Sequence, residues 1–136
     1  MFPSHDPIAV SSTTNSYVDS NLTATITPTS ASSKILVIVN QNYRWITGGV
    51  AFDNTANIKI LRGSTDLAVS WFDIKLSSPS NDGNFSTQYS MNWLDSPATT
   101  SATTYKTQLK NTTAQGTFQV NNNSAPASIT LLEIGA

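Results

Sequence analysis

The stretch Phe85-Ser86-Thr87-Gln88-Tyr89-Ser90-Met91-Asn92-Trp93 sets Phe85, Thr87, Tyr89, Met91 and Trp93 on one side of an extended chain. Ser86, Gln88, Ser90 and Asn92 take the other side. Strict two-residue alternation over nine positions marks a strand with one buried face. Working outward, Leu22, Ala24 and Ile26 alternate with Thr23, Thr25 and Thr27, and Leu67, Val69 and Trp71 oppose Ala68, Ser70, Phe72 and Ile74. Ile35-Leu36-Val37-Ile38-Val39 is different, being apolar on both faces. A strand of that kind is expected to be covered on both sides, inside a sandwich or against a neighbouring subunit. Residues 57–61, 103–110, 116–121 and 128–134 are expected to be further strands, and helical periodicity is hard to find anywhere.

Turn chemistry fills the gaps between these segments. Arg62-Gly63-Ser64-Thr65 supplies a glycine for a positive-φ position in a tight hairpin, and Asn81-Asp82-Gly83-Asn84 does the same across a longer connection. Pro28, Pro79, Pro97 and Pro126 fall just outside expected strands, where a missing N–H does not break a ladder. Strands separated by turns every ~8–12 residues, without helices, predict an all-β antiparallel sandwich. With about eight strands, the jelly roll is the favoured form. Residues 11–136 read as a single jelly-roll-like domain and residues 1–10 as a short extended N-terminal arm. Segments 77–84 and 95–104 read as exposed loops.

Composition narrows the chemistry. Ser, Thr and Asn account for 51 of 136 residues, whereas charged side chains make up only 11%, with a net charge of −1. That balance provides no basic footprint for nucleic acid and no polybasic face for anionic lipid. With no cysteine, disulfides, thiolate metal sites and thiol nucleophiles are all excluded. Disorder is disfavoured, because three Trp, four Tyr and five Phe join recurrent Ile/Leu/Val clusters able to build a core. No apolar run approaches the ~18 residues of a membrane helix, and the first six residues show no signal-peptide pattern.

A search for catalytic groups finds little. The single histidine, His5, lies between Ser4 and Asp6, and sequence adjacency does not assemble a triad. The eight acids stand singly, mostly beside turns, where a capping role accounts for them without catalysis. No phosphate loop, metal-ligand spacing or cofactor motif appears, so no enzyme activity, metal or cofactor is expected. Four Asn-X-Ser/Thr sequons are about what this composition yields by chance. Trp71 and Trp93 lie in alternating apolar faces and are expected in the core. Tyr43 and Trp45, at the end of the doubly apolar strand, are the candidates for a rim or a subunit interface. With Asn81 and Asp82 they form the candidate set for glycan or interface contact.

The wording of the chain adds a resemblance. Ser11-Ser12-Thr13-Thr14, Tyr17-Val18-Asp19, Thr25-Ile26-Thr27-Pro28-Thr29-Ser30 and Ser33-Lys34-Ile35-Leu36-Val37 form a series. Leu61-Arg62-Gly63-Ser64-Thr65, residues 94–105 (LDSPATTSATTY), Ser124-Ala125-Pro126, Ile129-Thr130-Leu131 and Glu133-Ile134 continue it. Together they resemble a β-sandwich surface module of tailed bacteriophages, as in tail-fibre and decoration proteins of marine and cyanobacterial phages. The resemblance runs from about Ser11 to the C-terminus. It implies a trimeric virion-surface domain without catalytic activity, and carries over no ligand motif.

A module that starts some ten residues after Met1, with no shaft ahead of it, suits a capsid decoration (cement) protein that stabilises the head. In that reading the partners are two further copies of the chain and the major capsid protein. Phe2, Pro3, Pro7 and Ile8 of the arm would be the capsid contacts. The alternative is a tail-fibre or head-fibre receptor-binding domain, in which loops 77–84 and 95–104 contact host surface glycan. Either way the expected location is the virion surface, after assembly in the bacterial cytoplasm, with neither nucleic-acid binding nor membrane insertion.

Overall fold

A computed structural model of the chain describes residues 2–5, 8–47, 52–76, 84–122 and 125–135. These residues form ten strands: β1 (Phe2–His5), β2 (Val10–Ser12), β3 (Val18–Ile26), β4 (Lys34–Ile46), β5 (Phe52–Arg62), β6 (Thr65–Leu76), β7 (Phe85–Asp95), β8 (Thr103–Asn111), β9 (Thr117–Val120) and β10 (Ser128–Ile134). All pairings are antiparallel.

In the first sheet β4 is central. One edge of β4 pairs with β7 from Ile35 to Trp45. The other edge pairs with β10 over Lys34–Asn40 and with β9 over Tyr43–Ile46. Beyond them, β1 pairs with β10 and β2 pairs with β9. Thus β9 and β10 are two halves of one interrupted column, as are β1 and β2. The second sheet runs β3-β8-β5-β6. Two four-column sheets with this interleaved order have the pairing of a jelly roll, so the expected fold class is the observed one.

The stretch expected as an arm is extended, and it is built into the sandwich. Phe2–His5 is held in register against Leu131–Ser128, and Val10–Ser12 against Val120–Phe118. The hairpin at Gly63-Ser64 forms as expected, with Gly63 at φ +56°, a conformation that costs L-residues about 1 kcal/mol.

Inward side chains build two apolar clusters. Leu22, Ala24, Ile26, Ile35, Val37, Val39, Ile60, Met91, Tyr105, Ile129 and Leu131 pack at one end. Trp45, Ala56, Ile58, Leu109, Phe118 and Val120 pack at the other, and Tyr43 and Phe72 border them with ring centroids 4.6 Å apart. Between the clusters runs a belt of polar groups. Gln41 Nε2 donates to Asn121 Oδ1 (2.8 Å), and Tyr89 Oη donates to Gln41 Oε1 (2.8 Å). Thr107 Oγ1 donates to the same Gln41 oxygen (3.4 Å) and exchanges a 2.5 Å bond with Ser20 Oγ. Asn121 Nδ2 donates to the Ser20 carbonyl (2.9 Å). Four strands from both sheets, and Asn121 just past β9, therefore meet on one buried network, where each lost partner strands another.

A second polar tie closes the far end. Arg62 Nη1, at the end of β5, donates to both oxygens of Asp95, the last residue of β7 (2.8 and 2.7 Å). Tyr105 Oη on β8 donates to Asp95 Oδ2 (2.7 Å). Asp95 belongs to the first sheet, Arg62 and Tyr105 to the second, so the carboxylate fastens the sheets together. Burial, then the hydrogen bond to Asp95, pushes the Tyr105 phenol well above its usual range.

Candidate functional site

Of the candidate glycan or interface contacts, Tyr43 and Trp45 lie among the described residues. Trp45 is fully buried between the sheets, its ring 4.8 Å from that of Phe118, so it is core and not rim. Tyr43, partly buried, packs with its ring tilted against those of Phe72, Phe85, Tyr89 and Phe118. Tyr43 and Trp45 share the inward phase of β4, and the aromatic side chains facing them from both sheets have buried that phase. Asn81, Asp82 and Pro7 lie outside the described residues. Phe2 and Pro3 stand in β1 opposite Leu131 and Thr130, while Ile8 is 63% exposed.

The tryptophans expected in the core are at the surface instead. Trp71 projects from the outer face of β6 and is 65% exposed, because Ala68, Phe72 and Ile74 of the opposite phase are the ones that pack inward. Trp93 shares the inward phase of β7 with Tyr89 and Met91, yet β7 is an edge strand and Trp93 remains 41% exposed. Of the two loops expected to contact glycan, residues 77–83 lie outside the described residues.

Two outer faces carry the distinctive surface chemistry. On the first sheet, Leu36 pairs across β4 with Leu94 on one side and Leu132 on the other. Ile134 stands opposite Lys34, and Ile38 lies two residues along from Leu36. All five apolar side chains point away from the core; Leu94 is 51% and Ile134 44% exposed. The strand that reads as apolar on both faces therefore has its inner face in the core and its outer face open.

On the second sheet, Trp71 lies directly opposite Asn57, and Val69 opposite Lys59. The Tyr17 ring is capped by the ammonium groups of Lys59 (4.0 Å) and Lys110 (4.9 Å), a cation–π arrangement. Lys59 also pairs with Asp66 (2.8 Å). Asn57 Oδ1 accepts from Thr112 Oγ1 (2.5 Å), whereas its buried Nδ2 has no partner. Nearby, Asp19 accepts from Gln108 Nε2 (2.7 Å) and pairs with Lys106 (2.9 Å); those two contacts, the Gln108 bond foremost, hold its carboxyl below the usual range.

Most of the described acids are engaged in structural contacts of this kind. Asp53 pairs with Lys75 (3.3 Å), and Glu133 accepts from the Thr29 amide and hydroxyl (2.7 and 2.8 Å). Among the described residues no cluster of three or more His, Asp or Glu side chains is arranged to hold a metal ion.

No protein-family model matches the chain, and no curated protein matches it. Among solved structures it is similar to the insecticidal delta-endotoxin Cry8Ea1 of Bacillus thuringiensis, at 12% identity and a TM-score of 0.44. The match covers 93% of this chain and 20% of the toxin, so the chain spans about a fifth of that protein's length.

Proposed function

We propose that the protein is a non-enzymatic structural module of a phage virion surface that works by adhesion between protein faces, as a trimeric capsid decoration protein that stabilises the head. The observation that carries this reading is the outer strip Leu36, Ile38, Leu94, Leu132 and Ile134, an apolar patch that crosses β7, β4 and β10. Three such strips converging on a threefold axis bury their leucines against one another, and closed symmetry leaves none of them exposed. Completing the burial of a half-exposed leucine or isoleucine contributes about 1 kcal/mol, so several per subunit sum to a useful association energy.

The sparse charge and abundant Ser, Thr and Asn on the remaining outer positions supply a surface of low nonspecific attraction. The resemblance to phage surface modules supplies the virion setting. Many weak contacts to capsomers become effectively permanent when three subunits act as one body.

The test is a virion lacking the protein. On this reading such particles retain part of their infectivity but release DNA on heating or in low salt, and added purified protein restores their robustness. Equal heat and salt resistance with and without the protein would refute it.

A further inference from the structure

Strand β3, an edge of the second sheet, does not run evenly along β8. Asp19 stands opposite Gln108 and Thr23 opposite Lys106, so Ser20, Asn21 and Leu22 face Thr107 alone in a β-bulge. The inner side of the bulge is tied into the core. Ser20 and Leu22 are fully buried, Ser20 Oγ accepts from the Leu22 amide (3.1 Å), and the Ser20 carbonyl accepts from Asn121 Nδ2 (2.9 Å). Asn21 is thereby turned out to the surface at φ +64°, a left-handed conformation that asparagine adopts more readily than most L-residues.

The outer side of the bulge opens a cleft of about 240 Å³ lined by Asp19, Asn21, Leu22, Thr23, Lys106 and Thr107. The Asp19 side chain is 53% exposed, within reach of a ligand, and its carboxylate is already fixed in place. Gln108 Nε2 donates to Oδ1 (2.7 Å), and Lys106 Nζ lies 2.9 Å from Oδ1 and 3.1 Å from Oδ2. Thr23 Oγ1 donates to the Tyr105 carbonyl (3.1 Å), which leaves its lone pairs to accept from a ligand. Asn21 is exposed, and among the described residues its side-chain amide has no hydrogen-bond partner.

This lining has a definite chemical preference. Asp19, Asn21 and Thr23 present three oxygen-bearing side chains at alternate positions, but the Lys106 ammonium already occupies the carboxylate, and a metal cation would have to displace it. Together carboxylate and ammonium leave the cleft without net charge, so a ligand of either sign meets a repelling group as close as the attracting one. A neutral ligand with adjacent hydroxyls fits both at once, because one hydroxyl donates to the carboxylate while its neighbour accepts from the third ammonium proton. Such charge-assisted bonds are stronger than neutral ones. The volume falls short of the ~300–1,000 Å³ of sites for drug-sized molecules and suits a single ring.

We propose that the bulge cleft binds one ring of a neutral saccharide through vicinal hydroxyls, one donating to Asp19 and the next accepting from Lys106, with the Asn21 amide bonding a third group on the ring. The leucine strip lies on the other sheet, so this site stands or falls separately from the trimer.

Titration of the 15N-labelled protein with glucose, galactose, mannose and N-acetylglucosamine tests this by NMR, with glucuronic acid, glycine betaine and calcium chloride as charged comparators. The expected result is saturable movement of the Asn21 and Gln108 side-chain amide signals with at least one neutral sugar. Asn21→Gly keeps the left-handed backbone without steric cost and removes only the amide, and Asp19→Asn keeps an acceptor for Gln108 but loses the charge. Both variants should retain the dispersed amide spectrum of the folded chain and bind the sugar at least 5-fold more weakly. No saturable shift with any neutral sugar, unchanged affinity in the two variants, or saturation by the charged comparators alone would each overturn the assignment. So would movement confined to the indole signal of Trp71, which would place the sugar on that exposed ring instead.

Discussion

Replacing Gln41 by Leu removes the centre of the polar belt while keeping side-chain volume nearly constant. The substitution deletes one bond donated by Gln41 to Asn121 Oδ1 and two accepted by it, from Tyr89 Oη and Thr107 Oγ1. At 3.4 Å the Thr107 bond is weak, and Thr107 keeps its bond to Ser20, so it adds little. The Tyr89 hydroxyl and Asn121 Oδ1 lose the partners that the belt gives them. Each buried group stranded in this way costs about 1–3 kcal/mol, partly offset by the added apolar contact of leucine, for a net loss of about 3 kcal/mol. For a chain of this length each kcal/mol corresponds to about 3.5 °C, so Tm should fall by about 10 °C. Denaturant and thermal unfolding by circular dichroism, at fixed protein concentration, measure this. Asn92→Ala, on the outward phase of β7, serves as the control and should stay within about 0.5 kcal/mol. If Gln41→Leu proves neutral or stabilising, the belt is not a cohesive element, and the two apolar clusters would gain by merging.

Three further outcomes follow from the same geometry. Asp95→Ala frees the Arg62 guanidinium and the Tyr105 hydroxyl together; with Arg62 partly solvated the loss should be about 2–4 kcal/mol, against about 1 kcal/mol for Tyr105→Phe, read by chemical denaturation. Tyr89 and Tyr105 both hold their protons above the ordinary phenol range, so the unfolded chain releases protons first and stability falls as pH rises above about 10. Tyr105→Phe should flatten that alkaline slope by about 1.4 kcal/mol per pH unit, and an unchanged slope would show that this phenol is not held back. Deleting residues 1–8 uncovers the β10 edge that β1 occupies, and should lower Tm and promote association by edge pairing, measured by light scattering on heating.

Much of the fold was legible in two-residue alternation. Ser128–Ile134 matches the expected final strand end for end, and Arg62-Gly63-Ser64-Thr65 closes the hairpin its glycine announced. What alternation does not reveal is which phase faces inward when both carry large side chains. In β6, Phe72 and Ile74 compete with Val69 and Trp71, and the facing aromatic cluster of Tyr43 and Phe118 decides in favour of Phe72. Edge position is equally hidden, which is why Trp93 keeps the inward phase of β7 and is still exposed.

The polar belt and the contact between Asn42 and Asn122 escaped sequence reading for a related reason. Gln41, Asn42, Asn121 and Asn122 are four amides in a chain crowded with such groups, and only long-range register brings them together. One signal was present. Asn40-Gln41-Asn42 interrupts an otherwise apolar strand without ending it, and Asn121-Asn122 follows another short strand. Amides inside strands ask for partners.

The central claim is that the outer strip of the first sheet joins copies of the chain, and the molar mass in solution tests it most directly. Size-exclusion chromatography with light scattering should give three times 14.6 kDa, about 44 kDa, and Leu94→Asp combined with Ile134→Asp should return a folded species of 14.6 kDa. A wild-type mass of 14.6 kDa across the accessible concentration range, or a trimer that survives both substitutions, would contradict the account.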